Sequence, residues 1–417
     1  MQQDDPTLSA AARLIAAGRY GQAVTLLSDS CAPGRHALLG AAYLGRRHGA
    51  TAVRHFRAAV ALDPADLSHA LGLGKAYMAA LDASSAVALL QLVADRYPTA
   101  SDVAEALVRA MRRDALYEEA LAVAPEHPSL LYERALCLLM LGRAEDSLSA
   151  FDKLLEHAPQ HAAGWFWSHA PALDVAGWAE AERRLVAATA IPRASRKYQA
   201  ILASYDLLRR SARPRACPTP YRHWCDAATI VAARMEGDAR LFGVPAAMLR
   251  WSLTAAPPQG LAMEFGVRRG NSIRILAAAS EGVIHGFDSF EGLPEPWVKA
   301  AAGALGTGGH MPSVPDNVIL HPGWFADSLV PFLAANPGPL AFANIDCDIY
   351  SSTRTVLWAL ADRIKPGSVL LFDELIGNRS WRHDEYRALS EFAAEFGRSW
   401  QVLAINLPGK QVALRMD

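Results

Sequence analysis

From Leu261 onward, short apolar runs alternate with helical segments, and this alternation constrains the fold more than any other feature. The runs are "LAMEFGV", "VIHGFDS", "NVILHPG", "LAFANIDCD" and "SVLLFDEL". The helical segments are "NSIRILAAAS", "DSLVPFLAAN", "SSTRTVLWALADRI" and "DEYRALSEFAAEFG". Such a pattern predicts a parallel, doubly wound sheet with right-handed crossovers. A closing pair, "WQVLAINL" and "QVALRM" across the turn "PGK", adds one antiparallel strand.

In sheets of this kind ligands bind outside the carboxyl ends of the strands, and charge collects there. Asp346 and Asp348 follow one apolar run; Asp373 and Glu374 follow another. The first run ends "EFGVRRGNS", where Gly266 and Gly270 bracket a turn and Asn271-Ser272 can cap the next helix. A glycine turn lets a ligand approach the backbone, and the helix start offers free N–H groups. Asp288 ends the second run, 22 residues after Gly266, where an acid is placed to hold ribose hydroxyls. The G-x-G-x-x-G spacing of dinucleotide sites is absent. The turn therefore favours S-adenosylmethionine over NAD, and Glu264 suits the ammonium of the methionyl part.

Asp346 and Asp373 end adjacent strands if the helix between them crosses over normally. Carboxylates and waters there suit Mg²⁺ or a similar hard ion. Such an ion lowers the pKa of a chelating hydroxyl and fixes its oxygen. Asp348 is expected to cap the helix at Ser351-Ser352 instead. Asp346, His310 in "GALGTGGHMPSVPDN" and His383 in "GNRSWRHDEYRAL" are the candidate catalytic residues; either histidine could accept the hydroxyl proton, or a metal-bound alkoxide needs only water. A surface or helix-start role is the plainer reading of each histidine. Arg379 and Arg382 read as solvated loop residues, with an acidic substrate group as the functional alternative.

The first half repeats. Helix pairs end at Pro64, Pro98, Pro125, Pro159 and Pro192, at intervals of 34, 27, 34 and 33. A helix-turn-helix near 34 residues is the tetratricopeptide signature. Leu39-Gly40, Tyr43, Ala52, Phe56, Ala59 and Pro64 fit it best. Turns fall at "AGRYGQA", "LGRAEDS" and "AGWAEAE". Stacked repeats offer a surface for a peptide or protein partner, or for self-association. Residues 1–195 are expected as repeats, 196–240 as a helical, proline-rich linker, and 241–417 as the α/β domain. "DAATIVAARMEGDARLFGVPAAMLRWSLTAAPPQG" reads as one or two helices.

A net charge of −1 gives no sign of a nucleic-acid surface or a membrane anchor, and no apolar run reaches membrane-spanning length. The N-terminus shows no signal peptide, and five scattered cysteines without a CxxC pair argue against disulfides and zinc ribbons. A reducing cytoplasm is expected.

"EFGVRRGNSI", "GFDSFEGLPE", "PGWFADSL", "IDCDIYSSTRTVL" and "PGSVLLFDE", in this order, resemble the macrocin O-methyltransferase family over about residues 240–417. The resemblance implies a class I fold with a mostly parallel seven-stranded, Rossmann-like sheet. It implies a divalent metal and methylation of sugar hydroxyls from S-adenosylmethionine. Glu264, Gly266 and Gly270 would then meet the methionine part and Asp288 the ribose. Ser289 and Phe290 would lie near the adenine, closed over by Gly323, Trp324 and Phe325. Asp346, Asp373 and Glu374 would hold the metal. The function expected is O-methylation of a sugar, polyol or glycan, free or carrier-bound. Methylation of a peptide docked on the repeats, and a non-catalytic scaffold, are the alternatives.

Overall fold

The computed structural model describes residues 5–123, 128–298 and 300–417. It divides into two compact units, Met1–Glu133 with Leu293–Leu305, and Arg134–Gly292 with Gly306–Asp417.

The first unit is built of helix pairs: α1 (Pro6–Ala16), α2 (Tyr20–Ser28), α3 (Arg35–Gly45), α4 (Gly49–Leu62), α5 (Leu67–Ala79), α6 (Ala83–Arg96), α7 (Ser101–Arg113) and α8 (Tyr117–Val123). Next come α9 (Leu131–Met140), α10 (Ala144–His157), α11 (Ala162–Val175) and α12 (Trp178–Ala190). The expected punctuation is where the sequence puts it. Helices α4, α6, α10 and α12 end two residues before Pro64, Pro98, Pro159 and Pro192, because proline lacks the N–H that a helix interior needs. Pro125 lies outside the described residues. Phe56, 6% exposed, packs its ring against Gly40 and Gly72.

Residues 196–240, expected as a helical, proline-rich linker, hold two helices, α13 (Arg196–Leu208) and α14 (Arg222–Ala232), and a strand, β1 (Met235–Leu241), followed by α15 (Pro245–Thr254). Helix α13 is buried along most of its length, with Ile201 and Tyr205 in the core that also holds Phe265 and Val356. Asp174 of α11 accepts from the backbone N–H groups of Gly243 (3.1 Å) and Val244 (2.8 Å). A Cβ on Gly243 would lie 1.8 Å from the carbonyl oxygen of Ala170, so α11 meets that corner backbone to backbone.

Strands β2 (Leu261–Phe265), β3 (Ile284–Asp288), β4 (Val318–Pro322), β5 (Leu340–Ile345), β6 (Ile364–Phe372), β7 (Trp400–Asn406) and β8 (Gln411–Met416) complete the sheet. Helices α16 (Asn271–Ala278), α17 (Phe325–Ala335), α18 (Tyr350–Ala359) and α19 (Glu385–Glu395) alternate with them. The order is β1-β7-β8-β6-β5-β2-β3-β4, with β8 antiparallel to both neighbours and the other pairs parallel. The seven expected strands are present. The eighth, β1, corrects the helical reading of its segment: Val402 N–H donates to Arg234 O, and Phe242 N–H to Ile405 O, each at 2.8 Å. An open sheet edge here outweighs local preference. β5 is buried at every position, as a strand covered on both faces must be.

Cys217 and Cys225 form a disulfide across eight residues, with Cα atoms 6.4 Å apart. This corrects the expectation of unpaired thiols: the chain folds back into α14, and the spacing carries no motif. Among the described residues, no helix is long and apolar enough to cross a membrane.

Candidate active site

The chain leaves β2 toward β3 and β4 on one side, then returns through β5 and β6 on the other. The β2 and β5 ends are therefore the switch point where such sheets take ligands. Gly266 follows β2 with φ +98°, and a Cβ there would lie 2.0 Å from the carbonyl oxygen of Asp346. Only glycine satisfies both conditions. Gly270, φ +77°, precedes α16 as its N-cap. Gly270, as the N-cap, has no side chain with which to cap the helix. Ser272 Oγ donates to Glu264 Oε1 at 2.6 Å.

Glu264 is fully buried, and its Oε2 has no hydrogen-bond partner. Burial raises its pKa to about 8, against the opposing effect of hydrogen bonds from Ser272 and Asn344. An orphaned buried carboxylate oxygen costs free energy until a donor reaches it. The ammonium of a methionyl group is chemically suited to be that donor.

Asp288 Oδ2 accepts from Arg268 N (2.7 Å) and Oδ1 from Phe290 N (2.7 Å). It thus ties the glycine turn to the end of β3, and each oxygen keeps a second acceptor site for a hydroxyl. Ser289 Oγ accepts from Glu291 N, so it shapes its own loop. Phe290 is 2% exposed and packs in the core with Val267 and Ile273. Gly323 N–H donates to Asp288 O; Trp324 is exposed ahead of α17, and the Phe325 ring meets Phe265 edge-on at 5.7 Å.

The acids gather at the β5 and β6 ends. Asp346 N–H donates to Phe265 O, and Asp373 N–H to Ile345 O, each at 2.9 Å, which staggers the two residues across neighbouring strands. Both side chains are half-buried and have their pKa values raised. Desolvation comes first for each; then Asp373 acts on Asp346, and Glu374 on Asp373, which is pushed up to about 6. Asp348 corrects its expected role. Its backbone is left-handed (φ +62°), α18 has no side-chain cap, and its carboxyl faces the cluster, raised to about 8 by desolvation, then Glu374 and Asp373.

Four residues that the sequence did not flag complete the cluster. Glu385, fully buried at the start of α19, accepts from Glu374 N–H at 3.1 Å. Lys410 pairs with Glu374 at 2.8 Å, and Gln411 donates to Asp373 Oδ1 at 2.5 Å. Asn378 also donates to Glu374 Oε2. Among the described residues, no three His, Cys, Asp or Glu side chains are drawn together as a metal-holding group. Glu374 faces its lysine partner instead. The donor chemistry, hard oxygens crowded by mutual repulsion, still fits a divalent cation. His310 and His383 are exposed, His310 bonded through Nδ1 to Thr307 O at 3.0 Å within its own loop.

A methyltransferase-domain family matches residues 263–375, and a tetratricopeptide-repeat family matches 70–100 and 129–161. The chain thus carries a methyltransferase domain of mostly parallel sheet, preceded by tetratricopeptide repeats. Similar solved structures include the O-methyltransferase NovP, 20% identical over 41% of this chain and 78% of that one, TM-score 0.32. The calicheamicin methyltransferase CalS11 is 23% identical over 52% and 91%, TM-score 0.34. A thermophilic tetratricopeptide-repeat protein of Thermus thermophilus is 21% identical over 40% and 97%, TM-score 0.32. Likeness at this level carries no inference about this chain. No curated protein matches it.

Proposed function

We propose that this chain is an S-adenosylmethionine-dependent O-methyltransferase, assisted by a divalent cation such as Mg²⁺, acting on a hydroxyl of a sugar or polyol. The observation that carries the reading is Glu264: a buried carboxyl group with one orphaned oxygen, at the sheet switch point and beside a glycine that admits only backbone contact. S-adenosylmethionine supplies an electrophilic methyl group on a sulfonium, so the protein has chiefly to bind, orient and remove a proton.

In this reading Glu264 takes the methionyl ammonium, with Ser272 holding its other oxygen. Asp288 keeps the turn in place through Arg268 and offers its free lone pairs to the ribose hydroxyls. Trp324 and Phe325 flank the adenine side. Asp346 and Asp373 would hold the cation and Glu374 would join them, giving up Lys410. The cation would acidify the acceptor hydroxyl. Asp346 has a second carboxylate oxygen with which to accept the hydroxyl proton. The exposed His310 and His383 are not needed for that step. The repeats offer a surface to a protein partner or to a second copy of the chain.

The test is transfer of labelled methyl from S-adenosylmethionine to a panel of sugars and polyols, with Mg²⁺ and with chelator. Transfer that vanishes with chelator and in Asp346→Asn supports the reading. Turnover that survives full chelation removes the cation from it, and absence of cofactor binding leaves a repeat scaffold.

A further inference from the structure

The two strands that meet at the switch point are apolar but for one residue each. β2 reads "LAMEF" and β5 reads "LAFANI", so Glu264 and Asn344 are their only polar side chains. The register of this parallel pair sets the two opposite each other. Residues paired in this way project from the same face of the sheet, on strands about 4.8 Å apart. Glu264 is 0% exposed and Asn344 2%. Asparagine is a poor strand residue, and a buried amide costs free energy unless its hydrogen bonds are made.

Those bonds are incomplete. Ser272 Oγ takes Glu264 Oε1 at 2.6 Å. Among the described residues, neither Glu264 Oε2 nor Asn344 Oδ1 has a hydrogen-bond partner. Buried acceptors are seldom left so. Here two stand on neighbouring strands, each two residues before the place where Gly266 meets the Asp346 carbonyl oxygen. A single group with two N–H or O–H donors satisfies both. Water and an ammonium each qualify, but only the ammonium also compensates the charge that Glu264 carries when ionised.

We propose that Asn344 Oδ1 and Glu264 Oε2 together bind the ammonium of the cofactor's methionyl part. Glu264 supplies the charge, and Asn344 supplies a neutral hydrogen bond that fixes the direction of approach. This rests on the methyltransferase reading above and adds to it a residue on β5 that selects for the amino group. A neutral acceptor suits that position, because an acid at 344 would stand two residues from Asp346 and add to the repulsion among the strand-end carboxyls.

Calorimetric titration of the full chain with S-adenosylmethionine and with 5′-methylthioadenosine tests it, since the second ligand keeps the nucleoside and sulfur but has no amino acid group. Asn344→Val and Asn344→Thr have nearly the same shape, and both suit a strand. Threonine keeps one acceptor oxygen and valine none. Asn344→Val should weaken S-adenosylmethionine about tenfold, as loss of one hydrogen bond to a charged group does, and Asn344→Thr should weaken it less. 5′-Methylthioadenosine should bind the wild type and both variants alike, which also shows that the variants are folded. Asn344→Ala makes the same comparison should valine disturb the strand. S-adenosylmethionine bound equally by the wild type and Asn344→Val gives the amide oxygen to water and overturns the proposal, while the methyltransferase reading stands. Equal losses for both ligands make Asn344 a packing residue and overturn it too. A wild type that binds neither ligand overturns the methyltransferase reading, and the ammonium site with it.

Discussion

In the repeats, Gly40 and Gly72 face the ring of Phe56, and a Cβ on either would lie 2.6 Å and 2.2 Å from it. At the sheet, Gly266 faces the Asp346 carbonyl oxygen, 2.0 Å from where its Cβ would be. Both are close approaches bought by a missing methyl group, but the neighbours differ. A ring belongs to a side chain and can rotate away. The Asp346 carbonyl belongs to a backbone pinned by its own N–H to Phe265 O, so it cannot move without undoing the β2–β5 pairing. The repeats are a packing solution that can drift from unit to unit, as the 27-residue interval does. The switch point admits one arrangement.

Gly266→Ala should break this contrast most severely. The positive φ and the carbonyl clash together should destabilise the second unit by about 4 kcal/mol or prevent its folding. Urea unfolding checks this, and near wild-type stability would erase the distinction. Phe56→Ala should cost about 3 kcal/mol by leaving a cavity between two glycines. Hydrogen exchange should place the loss within residues 1–133, with cofactor affinity intact.

A third effect belongs to the helices that join the sheet's core. His169 is fully buried, bonded through Nδ1 to Phe166 O, with Nε2 3.5 Å from the Tyr205 hydroxyl. Burial lowers its pKa to about 4 from 6.5. The unfolded chain then binds more protons between these values. Its contribution is therefore complete above about pH 6.5 and is lost toward pH 4, by about 3 kcal/mol. Unfolding midpoints across that range, in the wild type and His169→Gln, measure it; a slope unchanged in the variant would assign it elsewhere. The smallest effect expected is Asp174→Ala, about 1–2 kcal/mol, from the loss of two backbone caps at Gly243 and Val244.

What the sequence made legible follows the same contrast. Repeat helices carry their own stop signals, so Leu62 and Arg96 end helices where Pro64 and Pro98 say they must. The order of strands was readable because alternation and crossover handedness leave few topologies. Strand β1 was not, since its partner β7 lies more than 150 residues away and nothing local distinguishes "MEGDARL" from a helix end. In the site, the acids of β5 and β6 were visible as charges closing apolar runs. Glu385 was not, because a buried acid at a helix start looks like an ordinary first-turn acid. Lys410 was hidden in a hairpin turn and Gln411 at the first position of β8. Asp348 was assigned to a cap because its left-handed backbone, which swings it into the cluster, has no sequence signal in a non-glycine residue.

The most direct measurement is calorimetric titration of the full chain with S-adenosylmethionine at pH 7, in buffers of differing ionisation enthalpy. With its pKa near 8, Glu264 is mostly protonated before binding and must ionise to pair with the ammonium. The account predicts release of nearly one proton, with Glu264→Gln abolishing the release and weakening the affinity. Cofactor bound without proton release, and equally well by Glu264→Gln, would contradict it.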